Sequence, residues 1–279
     1  MKSYAIGVDI GGTKIQFASV SREGDIIRRR LVPTEAHNGP GQVMDKVLEG
    51  IGAVMAEMGS EAEVAGIGIG SAGQINDRTG AVEFAVDTLP GWTGTPIREL
   101  VERRYGKPVY VDNDVNVIAI AEKAYGAGRS YDSYICLALG TGVGGAIVES
   151  GRLVRGAFGG AGELGHVSVD FNGPLCSCGN RGCIEMYASG TGIARLGKEA
   201  LASSDGRASA WEPHSRDIVR AWLQGDAAAS GVMDTVLRAL GTAIAGLIHA
   251  FNPQAVIIGG GVSETGPVFF EALGKETES

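Results

Sequence analysis

Two segments of the chain are built alike, each a strand-length apolar run, a turn of glycine and threonine, and a second strand-length run. Tyr4 to Asp9 and Ile15 to Val20 flank Ile10-Gly11-Gly12-Thr13-Lys14, while Tyr134 to Leu139 and Val143 to Val148 flank Gly140-Thr141-Gly142. Short glycine turns between such runs predict antiparallel strand pairs, so the two halves are expected to be variations on one plan. Glycine supplies 45 of the 279 residues, about 16% against a usual ~7%. The glycines cluster beside strands, where tight turns and close approach of backbone to a ligand need them.

The remaining periodicity completes an α/β pattern. Ile26 to Val32 extends the first meander. Val43, Val47, Leu48, Ile51, Val54, Met55 and Met58 recur at helical spacing, predicting an amphipathic helix packed on that sheet. Val64 to Ile69 reads as a buried strand, Pro96 opens a helix carrying Ile97, Leu100 and Val101, Pro108 to Asp112 is a strand, and Val115 to Tyr125 is an Ala-rich helix. In the second half Gly151 to Asn180 reads as loop and Met186 to Ala202 as a helix. Val232, Val236, Leu237, Leu240, Ile244, Leu247, Ile248 and Phe251 form an apolar helical face ending at Asn252-Pro253. Ala255 to Ile258 is a buried strand leading into Gly259-Gly260-Gly261, and the small, polar stretch Ser203 to Pro213 is expected to be mobile. The reading is an α/β fold in two lobes, residues 1–120 and 121–279.

Charge and apolar runs exclude several functions. With 24 Lys+Arg against 32 Asp+Glu the net charge is −8, which offers no clustered cations for a phosphate backbone, so nucleic acid is not an expected partner. Arg28-Arg29-Arg30 reads as a solvated face. Apolar runs such as Ala243 to Ile248 fall far short of the ~20 residues of a membrane span, and Asp9 arrives too early for the centre of a signal peptide. A cytoplasmic protein is expected.

In that reducing compartment, three of four cysteines within eight residues suggest a metal before a disulfide. His166, Cys176, Cys178 and Cys183 make the donor set of a closed, structural zinc site, and Cys136 is expected to be inert core. The turn after Asp9 offers N–H groups and the Thr13 hydroxyl to phosphate oxygens, with Asp9 facing magnesium or its waters. Gly140-Thr141-Gly142 repeats that arrangement, and the Gly259 to Gly261 run follows a buried strand as a nucleotide site would. Asp112-Asn113-Asp114 ends a strand and precedes a helix, so these residues read either as a general base or as a helix N-cap. Glu163 and Glu185 lie close in sequence to the zinc donors and read either as acceptors for sugar hydroxyls or as partners of the ligands.

Taken in order, Asp9-Ile-Gly-Gly-Thr-Lys14, Asp112-Asn-Asp-Val-Asn116, Leu139-Gly-Thr-Gly-Val-Gly-Gly145, Gly162-Glu-Leu-Gly-His166 and Cys176-Ser-Cys-Gly-Asn-Arg-Gly-Cys-Ile-Glu185 resemble the ROK family of bacterial sugar kinases and repressors, over residues 5 to about 262. The resemblance implies the actin-like ATPase (ribonuclease H-like) fold, two lobes with mixed sheets flanking a cleft for a hexose and ATP. It implies Asp114 as the general base on the sugar hydroxyl, usually that on C6. Gly73, Asn113, Glu163, His166 and Glu185 would face the sugar, with His166 also binding zinc through its other nitrogen. Asp9, Gly11, Gly12, Thr13 and Lys14 would form one phosphate loop, Gly140, Thr141 and Gly142 the other, and Gly260 and Gly261 the adenosine side. ATP, Mg2+, structural Zn2+ and a homodimer follow by the same resemblance.

Substrate signals divide. Ser71-Ala72-Gly73-Gln74 is more like the acetylmannosamine kinases, and Asp87-Thr-Leu-Pro-Gly-Trp92 resembles the glucokinase type, so glucose, N-acetylmannosamine and N-acetylglucosamine all stand. Family repressors carry an N-terminal helix-turn-helix, for which a first strand starting at Tyr4 leaves no room, yet a sugar-binding regulator without phosphoryl transfer stays open. The chain ends shortly after Gly259-Gly-Gly-Val-Ser263, short of the family's final α/β segment.

Overall fold

A computed structural model describes residues 2–59, 62–85, 89–157, 159–203 and 211–278. Its contacts divide the chain into two units, Met1–Gly126 with Arg155–Ala161, and Ala127–Val154 with Gly162–Ser279.

In the first unit, β1 (Lys2–Ile10), β2 (Lys14–Ser21) and β3 (Ile26–Pro33) form the expected antiparallel meander. After α1 (Pro40–Glu57), strand β4 (Ala62–Ser71) returns parallel to β1 and extends past both ends of the apolar run read from the sequence. A small hairpin, β5 (Gln74–Ile75) with β6 (Val82–Phe84), had no periodic signal and follows next. Helix α2 (Ile97–Tyr105), β7 (Val109–Asn113) and α3 (Asp114–Tyr125) complete the unit, giving the sheet order β3-β2-β1-β4-β7.

Along β2 the side chains of Ile15, Phe17 and Ser19 alternate inward, and α1 buries Val43, Val47, Ile51 and Val54 in the same core. Helix and sheet approach closely at Gly50, where a Cβ would stand 2.2 Å from the buried Phe17 ring. Gly50→Ala is therefore expected to lower stability by about 1–3 kcal/mol, the usual cost of overpacking, despite Ala's better helix propensity. Thermal unfolding checks this, and an unchanged Tm would contradict the packing described.

The second unit repeats the plan with fewer strands. β8 (Tyr134–Leu139), β9 (Val143–Glu149) and β10 (Arg152–Leu153) are antiparallel neighbours. The long irregular stretch that follows holds a single 3-10 turn at Leu164–His166. The helix expected over Met186 to Ala202 is two helices, α4 (Glu185–Ala188) and α5 (Gly190–Ala202). Ser189 separates them because its Oγ accepts the Gly192 N–H at 2.9 Å and so caps α5. Next come α6 (Ser215–Leu223), absent from the sequence reading, and α7 (Ala227–Phe251). β11 (Ala255–Gly259) pairs parallel with β8, and α8 (Pro267–Glu278) ends the unit, in the sheet order β10-β9-β8-β11.

Helix α7 is long and apolar enough to cross a membrane by length and composition alone, which a count of uninterrupted apolar runs had not shown. It buries Val232, Met233, Val236, Leu240, Ile244 and Leu247 within the unit's core instead. Phe269 and Leu273 of α8 pack into the same cluster, so the residues beyond the third glycine run do supply a helix. Of the stretch Ser203 to Pro213, residues 204–210 lie outside the described residues, and Trp211 is buried with its Nε1 donating to Asp226 at 3.1 Å.

Candidate active site

Parallel strands β1, β4 and β7 present their carboxyl ends on one edge of the first sheet, with Asp9, Gly70 and Asp112 in register across it. Such an edge is where ligands bind in open α/β sheets. The turn that leaves β7 is heavily tied. Asn113 Oδ1 accepts from the N–H groups of Val115 (2.9 Å) and Asn116 (3.3 Å), capping α3, and its Nδ2 donates to the Gly73 carbonyl at 3.0 Å. Asp112 Oδ1 accepts from Asn113 N–H (2.8 Å) and Asn116 Nδ2 (2.9 Å), while its Oδ2 meets Arg155 at 2.7 Å.

This arrangement divides the roles left open by the sequence. The N-cap is Asn113. Asp112 is 8% exposed and spends both oxygens on the protein, so it is not placed to take a proton from a substrate. Asp114 is the first residue of α3, half-buried, with Oδ1 accepting from the Val115 N–H at 2.9 Å.

Gly73 sits beside this turn through its bond from Asn113, and just before it Ser71 is buried, its Oγ receiving the Trp92 Nε1–H at 3.0 Å. Of the Asp87 to Trp92 segment, residues 87 and 88 lie outside the described residues, and Leu89 and Trp92 are core.

Asp9 ends near the first glycine turn with Gln16 Nε2 3.4 Å from its Oδ2. The atoms packed around it raise its carboxyl above the ordinary range by desolvation, against the lowering influence of Lys14 and Gln16. A cation beside that carboxylate would offset its desolvation, so the donor fits a magnesium site. The turn itself differs from the expectation of outward amides at one position, because Gly11 N–H closes the hairpin on Lys14 O at 3.1 Å. Thr34 holds the turn from behind, its Oγ1 donating to Gly11 O at 2.6 Å and its N–H to Thr13 O at 3.0 Å.

In the second unit, Gly140-Thr141-Gly142 leaves β8 and is propped by the start of α5, where Gly190 N–H donates to Gly140 O (2.8 Å) and Thr191 Oγ1 to Thr141 O (2.9 Å). Gly260, at φ 93°, folds against this strand end, with Leu139 backbone atoms 2.5–2.7 Å from where a Cβ would be. Only glycine fits there, which is why two glycine runs lie side by side at the carboxyl ends of β8 and β11. Glu185 joins them, its Oε2 accepting Val143 N–H at 2.9 Å. Glu163 is exposed and immediately precedes the 3-10 turn that carries His166.

The donor atoms of His166, Cys176, Cys178 and Cys183 all lie within 4.8 Å of one another. Cys176 Sγ is 3.5 Å from His166 Nδ1, and Cys178 Sγ is 3.6 Å from Cys183 Sγ. A tetrahedral ion with bonds near 2.3 Å places its ligands roughly 3.7 Å apart, so the cluster fits one. Burial, together with hydrogen bonds to its sister thiols, pushes the Cys183 thiol up to about 12, whereas the Asn180 N–H pulls Cys178 down. Three thiolates this close need a cation to neutralise them. With Nδ1 turned to the thiols, the Nε2 edge of His166 is left for another partner.

Two residues here escaped the sequence reading, while Asn116 entered it only as the end of a family motif with no role of its own. Thr34 is an ordinary polar residue in its segment. Arg155 stands alone in a glycine-rich stretch, and its partner Asp112 belongs to a distant strand, so no local pattern links them.

A strand-end carboxylate, a capped helix carrying a second carboxylate and glycine turns on repeated mixed sheets define a nucleotide-dependent protein with the mixed α/β fold of the actin-like ATPases. The ROK family model matches residues 5–279, and the chain belongs to that family. The Thermotoga maritima glucokinase is 40% identical over 98% of this chain and 86% of its own length. A ROK family glucokinase from Streptomyces griseus, solved in complex with glucose and AMPPNP, is 37% identical at a TM-score of 0.82, covering 98% of this chain and 88% of that one. A putative xylose repressor from a Caldicellulosiruptor species is 33% identical over 96% of this chain and 68% of its length.

Proposed function

We propose that this protein is an ATP-dependent hexose kinase acting on the 6-hydroxyl of glucose, with Asp114 as general base. The observation that carries this reading is the division of labour in the β7–α3 turn. Asn113 caps the helix, Arg155 and Asn116 hold the two oxygens of Asp112, and Asp114, the first residue of α3, stands where the family motif places the general base. Its carboxylate accepts the sugar proton as the hydroxyl oxygen attacks the γ-phosphorus, and ADP departs with the bonding electron pair. The family resemblance assigns Glu163, Glu185 and His166 of the second unit to sugar hydroxyls. The glycine turns of the two units hold phosphate oxygens through backbone N–H groups. Asp9 would hold magnesium or its waters, and the ion supplies charge neutralisation at the phosphates.

The thiol–imidazole cluster is assigned to a structural zinc, since four protein ligands leave no open position for chemistry. It fixes the loop that carries His166 and leads into Glu185. A homodimer accords with the family resemblance.

The test is ADP release with ATP and magnesium across glucose, mannose, fructose, N-acetylglucosamine and N-acetylmannosamine. Turnover highest on glucose is expected. A preference for an N-acetylated sugar would move the substrate assignment, and silence across the panel in folded, zinc-loaded protein would favour the sugar-binding regulator.

A further inference from the structure

We propose that Arg155 is a positioning residue for Asp114, acting through Asp112 to lock the turn that presents the general base; this rests on the kinase reading above. Residues Arg155–Ala161 pack within the first unit although the chain on either side of them belongs to the second. The segment is turned on itself, Ala161 N–H donating to Arg155 O at 3.1 Å. Its guanidinium is gripped at two points, NH2 to Asp112 Oδ2 at 2.7 Å and Nε to Asp77 Oδ2 at 3.4 Å.

What Arg155 holds is the carboxylate that brackets Asp114. Asp112 Oδ1 binds the backbone N–H before Asp114 and the side chain of Asn116 two residues after it. With Oδ2 fixed by Arg155, the Asp112 carboxylate plane is set, and with it the path of residues 113–116. The side chains of the pair are 29% and 11% exposed. Ion pairs this withdrawn from water recover little net stability after desolvation, so the contribution we assign to this one is geometric. A general base misplaced by about 1 Å can lose up to about 10²-fold in rate, whereas sugar binding through other groups is less sensitive.

The experiment compares kcat and KM for glucose, glucose affinity by calorimetry, and thermal unfolding in wild type, Arg155→Ala and Arg155→Lys. In Arg155→Ala, kcat is expected to fall roughly tenfold or more with glucose affinity within about threefold of wild type, and millimolar guanidinium is expected to restore part of the lost kcat. Arg155→Lys, which keeps the charge without the planar fork, is expected to fall between. A kcat within about threefold of wild type in Arg155→Ala would overturn the proposal, as would a joint loss of kcat and glucose affinity unresponsive to guanidinium. Should the Ala variant not fold, the Lys variant decides, a lowered kcat at unchanged glucose affinity supporting the proposal and wild-type kcat refuting it. No glucose turnover in the wild-type protein would instead defeat the kinase reading, and this inference with it.

Discussion

Asp114→Asn is expected to lower kcat for glucose phosphorylation by at least about 10²-fold, the low end of general-base contributions, while leaving glucose affinity and Tm close to wild type. The amide is the same size as the carboxylate and retains an oxygen for the Val115 N–H that Asp114 accepts at 2.9 Å. It cannot take the proton of the attacking hydroxyl. The cap of α3 belongs to Asn113, so the helix start does not depend on residue 114. Steady-state kinetics alongside calorimetric glucose titration separates the two quantities. A variant with wild-type turnover would remove Asp114 from the reaction. Loss of binding with turnover preserved at saturating sugar would make it a sugar ligand only.

If the thiol–imidazole cluster holds zinc as proposed, removing the ion should be as large an effect on stability as the first is on rate. If free zinc stands about a thousand times above its Kd, binding to the native state adds roughly 4 kcal/mol, or about 8–16 °C in Tm for a domain of 150–250 residues. Unfolding scans with and without a strong chelator, together with metal analysis of the purified protein, measure this. Cys183→Ser is expected to abolish the zinc-dependent increment, because Cys183 is fully buried and its Sγ lies 3.6 Å from that of Cys178. The chelated protein should also lose kcat, since the cluster holds His166 and leads directly into Glu185. Zinc-free protein with an unchanged Tm would show that the four side chains are merely neighbours.

The features legible in the sequence share a cause, which is that each is written locally. Strand β2 shows its alternation within a few residues, α1 its spacing of Val43, Val47, Ile51 and Val54, and the glycine turns their composition. The thiol–imidazole cluster is legible because thiols spaced Cys-x-Cys-x4-Cys leave few alternative readings. The same locality explains the errors. Reading Met186 to Ala202 as one helix passes over Ser189-Gly190-Thr191-Gly192, where the Ser189 hydroxyl accepts the Gly192 N–H and starts a new helix. Helix α6 carries Ile218, Ala221 and Trp222 at helical spacing, but its nine residues make a signal too short to stand out, and it is held by burying Ile218 and Ala221 against neighbours.

The turn between β7 and α3 shows the division most clearly. By itself the sequence determined that a carboxylate would stand at the end of β7 and that a helix would start there, because strand pattern and capping chemistry are short-range. What the tertiary structure decided is the pairing of Asp112, whose carboxylate meets the Arg155 guanidinium at 2.7 Å. Arg155 reaches Asp112 from a segment remote in sequence, and electrostatic pairing across such a separation follows from where the fold brings the chain rather than from any pattern within it.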